Sequence, residues 1–190
     1  MPDDAPDPVA RIARLFRRPG GQGPLPTRIT APLRRMAPER WSERLPEVLP
    51  VLVRAGLPVE GLSPDETRRW ALLVHVVAVL AGTEGAPAHA DGRRAGAALH
   101  AAGLSEARLA RLLSARGSSL LEQVARLARL LAARGAAPLD LRPFARLVIA
   151  DGSCEPDAAR RIEDARLDIA RSYYAALDRA AGAPEPKDLP

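Results

Sequence analysis

The sequence predicts an all-α fold, a two-lobed helical bundle of short and medium helices with no sheet. Apolar residues recur at i, i+3 and i+4 through most of the chain, start and stop signals punctuate these runs, and no stretch alternates long enough for a β-strand. Hydrophobic residues make up 47% and aromatic residues 3%, so the core is built from Ala, Leu and Val with little stacking. A length of 190 residues suits one large helical domain or two small lobes. The expected division is an N-terminal helical lobe over 1–82, a linker over 83–92, a C-terminal helical lobe over 93–181 and a disordered proline-rich tail over 182–190.

Residues 8–18 pattern as a short helix, with Val9, Ile12, Leu15 and Phe16 set among Arg11, Arg14, Arg17 and Arg18. The following G-G-Q-G-P-L-P breaks it; no strand precedes and no Gly-Lys-Ser/Thr follows, so it reads as a flexible loop and not as a phosphate-cradling P-loop. From Ala31 to Leu52 prolines punctuate short helical turns, and Trp41 supplies a large core side chain. Arg34 and Arg35 stand side by side here. Adjacent arginines cannot share one helix face, and spacing alone leaves open a solvated turn or a phosphate contact. Ser63-Pro64-Asp65-Glu66 combines an N-cap, proline at the first helical position, first-turn acid and a capping-box glutamate. The helix it starts runs to about Ala81 and places Trp70, Leu73, Val74, Val77 and Leu80 on a wide apolar face, with His75 at the core edge.

After the breaker at 82–92, the stretch from Gly96 to Leu131 holds three helical patterns. Gly103 closes the first. Ser105 is the expected N-cap of the second, with Leu104 stapled to Leu109, and Gly117 ends it. Ser119 with Glu122 spaces a capping box for the third, which repeats Leu120, Val124, Leu127 and Leu131. Arg108, Arg111, Arg126 and Arg129 fall away from these stripes, so each helix has an apolar side and an arginine side. Asp140 is the expected cap of a short helix carrying Leu141, Phe144, Leu147 and Val148. From Pro156 to about Ala180 a long helix repeats Ile162, Ala165, Ile169, Tyr173 and Leu177, with Tyr173 and Tyr174 packing at the lobe's end.

The formal charge is +5, and Lys187 is the only lysine. Coding bias explains arginine in place of lysine but not where the charge lies. Residues 11–54 carry ten Arg against three Glu, residues 93–134 carry eight Arg against two Glu, and the rest of the chain sums to −8. The basic charge is thus concentrated in two regions, as expected if they converge on one polyanion-facing surface. Cys154 is the only cysteine, which excludes an internal disulfide and a cysteine metal cluster. His75, His89 and His100 lie in separate segments with no carboxylate at ligand spacing, so no metal or cofactor is expected. No window reaches the roughly 18 apolar residues of a membrane span, and M-P-D-D-A-P-D-P lacks the regions of a signal peptide, so the expectation is a soluble, cytoplasmic protein.

Several runs resemble CasB, the small helical subunit of the type I-E CRISPR surveillance complex Cascade. These are A-P-L-R-R-M with W-S-E-R-L-P, L-L-V-H-V-V-A-V-L-A-G, G-A-A-L-H-A-A-G-L-S-E-A-R-L-A-R-L-L and the closing A-R-S-Y-Y, in the family's order from about Ile12 to Leu177. The resemblance implies a non-catalytic subunit present as a pair of copies beside the other Cascade subunits. There it would contact the backbones of crRNA and target DNA and hold the displaced strand of the R-loop. Carried over by motif, the family's double-arginine position falls on Arg34 and Arg35, its Ser/Asn-Glu-x-Arg position on Arg108 and its Leu-x-Arg-Leu-Leu position on Arg129, with Arg116 near a further basic position. The departures are a longer linker around Gly117 to Gln123 and the proline-rich tail. The nucleic-acid-binding set is therefore Arg34, Arg35, Arg108, Arg111, Arg116, Arg126 and Arg129.

Two other readings compete. A helix-turn-helix DNA reader would use residues 105–116 and 119–134, but Gln123 is the only base-reading candidate near the start of its second helix. A helical scaffold with solvated arginines is the other. An enzyme is not expected: Glu163-Asp164 reads as a source of ion-pair partners, and no nucleophile, base and orienting group assemble.

Overall fold

The computed structural model describes residues 7–17 and 24–182. Expectations for Arg18, the glycine-rich segment at 20–23 and the tail from 183 onward lie outside the described residues. Within them the chain is all-helical. Nine α-helices follow in order: α1 (Pro8–Phe16), α2 (Thr27–Arg35), α3 (Leu45–Arg54), α4 (Pro64–Ala81), α5 (Ala95–Ala101), α6 (Glu106–Ser114), α7 (Gly117–Ala133), α8 (Arg142–Ala150) and α9 (Ala158–Ala181). Short 3-10 helices at Pro38–Arg44 and Val59–Gly61 flank α3. The extended pairing among the described residues is a single parallel bridge between His89 and Leu139.

Local chemistry sets several of these boundaries. The Asp7 carboxylate accepts from the Val9 N–H at 2.8 Å to start α1. Ser63 and Glu66 form the reciprocal capping box of α4, with bonds of 3.2 and 2.8 Å. Hydrogen bonding with Ser63, from its side chain first and then its backbone N–H, holds the Glu66 carboxyl below its usual range. Gly103, at φ +76, takes the left-handed position that ends α5. Asp140 accepts from the Arg142 N–H at 3.0 Å, but it stands one residue ahead of the N-cap position of α8, which Leu141 holds, and so is not the expected cap.

Helix α4 forms the centre. Every residue from Ala71 to Ala78 is buried, and the helix packs against α7, α1 and α2. At roughly 2 kcal/mol for each fully buried large aliphatic side chain, its Leu and Val residues outweigh any intrinsic helix preference. Helix α9 packs against α5 and α8. One hydrophobic cluster runs from Val9 to Tyr173.

Gly96 is where α5 and α9 come closest: its N–H donates to Ser172 Oγ at 3.1 Å, and a Cβ there would lie 2.0 Å from the Ile169 carbonyl oxygen. Nearby, the buried Tyr173 hydroxyl donates to the Leu104 carbonyl, and its ring meets His100 edge-on at 5.5 Å.

Four further expectations change. His75 is fully buried and not at the core edge, because α2 brings the Leu33 carbonyl to its Nδ1 at 2.8 Å. Helix α7 begins at Gly117, two residues before the expected Ser119 cap, so residues 117–123 are helix and not linker. Ser105 holds the N-cap position of α6 without a side-chain bond. Tyr174 is exposed, unlike Tyr173.

Candidate nucleic-acid interface

Helices α6 and α7 bury Leu109 and Leu112 from one and Leu120, Val124, Leu127 and Leu131 from the other. The 3.6-residue repeat then leaves Arg108, Arg111, Arg126 and Arg129 exposed. Between the helices lies a cleft of about 300 Å3. Leu104, Leu112, Leu127 and Leu130 line its apolar part, and Arg108, Arg111, Gln123 and Arg126 supply its polar groups. Three of the seven predicted arginines therefore converge on one concavity. Arg126 also reaches Glu122 at 3.3 Å, an exposed i, i+4 pair that a phosphate can replace at little cost.

Arg116 is differently placed. Its guanidinium reaches back to the carbonyls of Leu113, Ser114 and Ala115 at 3.4, 3.3 and 2.9 Å, satisfying the last turn of α6. It also lies 4.0 Å from Asp151 and 3.9 Å from Glu163. Asp151 accepts from the Gly117 N–H at 2.7 Å and so caps α7 from the end of α8. Buried Arg166 adds bonds to Glu163 and, at 3.5 Å, to the Ala115 carbonyl. The angle between α6 and α7, and hence the cleft, is fixed by α8 and α9.

The paired arginines diverge, as their adjacency requires. Arg34 is half-buried and donates to the Gly82 carbonyl at 2.6 Å, placing a cation at the C-terminal end of α4. Arg35 is exposed and, with Arg28 and Arg44, lines a shallow cavity of about 390 Å3. Arg28 was visible only as the i, i+7 partner of Arg35, and Arg44 joins them through the fold. Arg129 lies outside the α6–α7 cleft, on the side of α7 from which its charge reaches His75 of α4. Burial first, and Arg129 with it, hold the His75 imidazole below its usual pKa against the opposing bond to Leu33.

Among the described residues, no three His, Cys, Asp or Glu side chains group to hold a metal ion. No helix there is long and apolar enough to cross a membrane. Glu163 and Asp164 pair with Arg166 at 2.6 Å and Arg160 at 3.5 Å.

A protein-family model described as CRISPR-associated protein Cse2 matches residues 30–174. No curated protein and no solved structure matches the chain.

Proposed function

We propose, from the premise that this chain belongs to the CRISPR-associated Cse2 family, that its arginine surface holds nucleic-acid backbone during R-loop formation. Membership makes the chain a non-catalytic small subunit of a type I-E Cascade complex. Its place among the other subunits, its pairing with a second copy, and its contacts to crRNA, target DNA and the displaced strand belong to the proposal.

The observation that carries it is the meeting of Arg108, Arg111 and Arg126 around one cleft with an apolar floor. Guanidinium forks pair bidentately with phosphate and stack on a base, so such a cleft takes a single strand without reading its sequence. Exchanging a DNA duplex for an RNA–DNA heteroduplex is nearly balanced in energy, so modest contacts to a displaced strand tip it. Arg35 with Arg28 and Arg44, and Arg129, extend the same charge beyond the cleft. Arg34 and Arg116 serve the surface through helix ends, holding α4 and α6 in place.

Tagged chain recovered from its host tests the assembly: other Cascade subunits with short, repeat-flanked RNA are expected to co-purify. Charge reversal of Arg108, Arg111 and Arg126 tests the surface. The assembled complex is expected to form fewer R-loops at matched salt while retaining its crRNA; unchanged R-loop yield would overturn the role of the cleft.

A further inference from the structure

A second cavity, of about 160 Å3, lies between α1 and the segment 87–91 and shares no lining residue with the α6–α7 cleft. Its charged and polar walls are Arg14, Arg17, His89 and Asp91. The chemistry turns on His89. The Leu141 N–H donates to its Nδ1 at 3.1 Å, so the ring proton of the neutral imidazole sits on Nε2.

That Nε2–H is buried and finds no acceptor among the described residues. Asp91 Oδ1 lies 3.4 Å away but is not aligned to take the proton, and Arg142 already holds it at 3.0 Å. Asp140, 3.9 Å from Nδ1, is committed to the Arg142 guanidinium through both oxygens, at 2.9 and 2.7 Å. A buried donor left unmet is costly and calls for a ligand. Arg14 in α1 and Arg17 at its C-cap stand three residues apart, both exposed, and no described acid pairs with either.

We propose that this cavity binds a phosphate group, held by the Arg14 and Arg17 guanidinium groups and the Nε2–H of His89. Donors converge from two elements far apart in sequence, and a tetrahedral oxyanion presents acceptors in all those directions where a planar carboxylate does not. Asp91, whose side chain is 80% exposed and already bound to Arg142, has open solvent into which it can swing from the ring as the phosphate enters. The two arginines precede residue 30, where the family match starts, and His89 lies within it. Free phosphate and a phosphate of a nucleic acid share the chemistry. The site does not depend on the α6–α7 cleft.

The test uses the full chain with its histidine nitrogens observed by NMR while inorganic phosphate is added at constant ionic strength. A saturable shift of the His89 Nε2–H is expected with phosphate and not with chloride. Arg14→Gln with Arg17→Gln is expected to weaken that binding about tenfold or more, and Arg160→Gln, exposed on α9, to leave it unchanged. Both arginines are exposed, so far-UV circular dichroism of the double variant should match the parent.

Competition then identifies the source. A 5′-phosphorylated oligonucleotide that displaces inorganic phosphate where its unphosphorylated twin does not supports a terminal phosphate. Displacement by both supports a backbone phosphate, and displacement by neither supports free phosphate. A ring proton found on Nδ1, no saturable shift, or the same affinity in the double variant overturns the site.

Discussion

Arg69 and Asp151 meet beneath the surface where α4, α8 and the start of α7 converge, 3.4 Å apart with side chains only 7% and 2% exposed. Each is also bound elsewhere. Arg69 donates to Asp65 at 2.7 Å and to the Val148 carbonyl at 2.9 Å, while Asp151 holds the Gly117 N–H at 2.7 Å. The pair thus ties the central helix to the helix that carries Arg126 and Arg129. Gly152 makes room for it, since a Cβ there would lie 2.2 Å from the Arg69 guanidinium.

Asp151→Ala leaves a buried arginine short of its partner and removes the cap of α7, and is expected to destabilise the fold by about 3 kcal/mol or more. Asp151→Asn keeps an acceptor for Gly117 and should lose less. Urea unfolding of both variants checks the order; equal losses would mean that the cap contributes nothing.

Gly96→Ala puts a methyl group against the backbone of α9, which cannot move as a flexible side chain would. Overpacking at this crossing is expected to cost about 3 kcal/mol, against the small gain that alanine normally brings to a helix. A thermal midpoint at or above the parent's would show that α5 and α9 part easily.

Where boundaries follow from neighbours in the chain, the sequence was readable. Ser63 and Glu66 announce α4, and Gly103 the end of α5, because their partners lie within one turn. The start of α7 was misplaced for the opposite reason: its cap, Asp151, is 34 residues away, and Ser119 offered a local decoy. His75 has the same history, buried by a carbonyl 42 residues distant. Periodicity put Arg108, Arg111 and Arg126 on exposed faces but could not show that the faces enclose a cleft. Arg116 kept its charge in the sequence and lost its freedom in the fold, where three carbonyls and two acids surround it.

His75 makes stability depend on pH. Its folded pKa lies below the ordinary 6.5, so the unfolded chain takes up the proton first as pH falls. The contribution is full above 6.5 and is lost progressively below it, down through the depressed folded value. The denaturation midpoint should therefore drop between about pH 7.5 and about pH 5.5, and His75→Asn, which can still donate to Leu33, should flatten that slope. Parallel curves for parent and variant would remove His75 as the cause.

Salt distinguishes phosphate-contacting arginines from structural ones. Removing Arg108, Arg111 or Arg126 one at a time should weaken nucleic-acid binding alike on all sequences and reduce the slope of log affinity against log salt by about 1 each. Arg116→Gln should leave that slope in place while costing about 1 kcal/mol of fold stability. A titration across salt concentrations with each complex checks both; a sequence-dependent loss would point to base reading instead.

The scarcity of aromatic residues divides the molecule optically. Both tryptophans, Trp41 and Trp70, sit half-buried at the 3-10 helix before α3 and in α4, whereas both tyrosines lie together on α9, 5.5 Å apart and nearly perpendicular. Indole emission therefore watches the first half of the chain, and the tyrosine band of near-ultraviolet circular dichroism watches the second. Because one apolar cluster joins Val9 to Tyr173, the two signals should fade at the same denaturant concentration. The unlabelled chain thus carries its own pair of reporters for whether its halves come apart together or in turn.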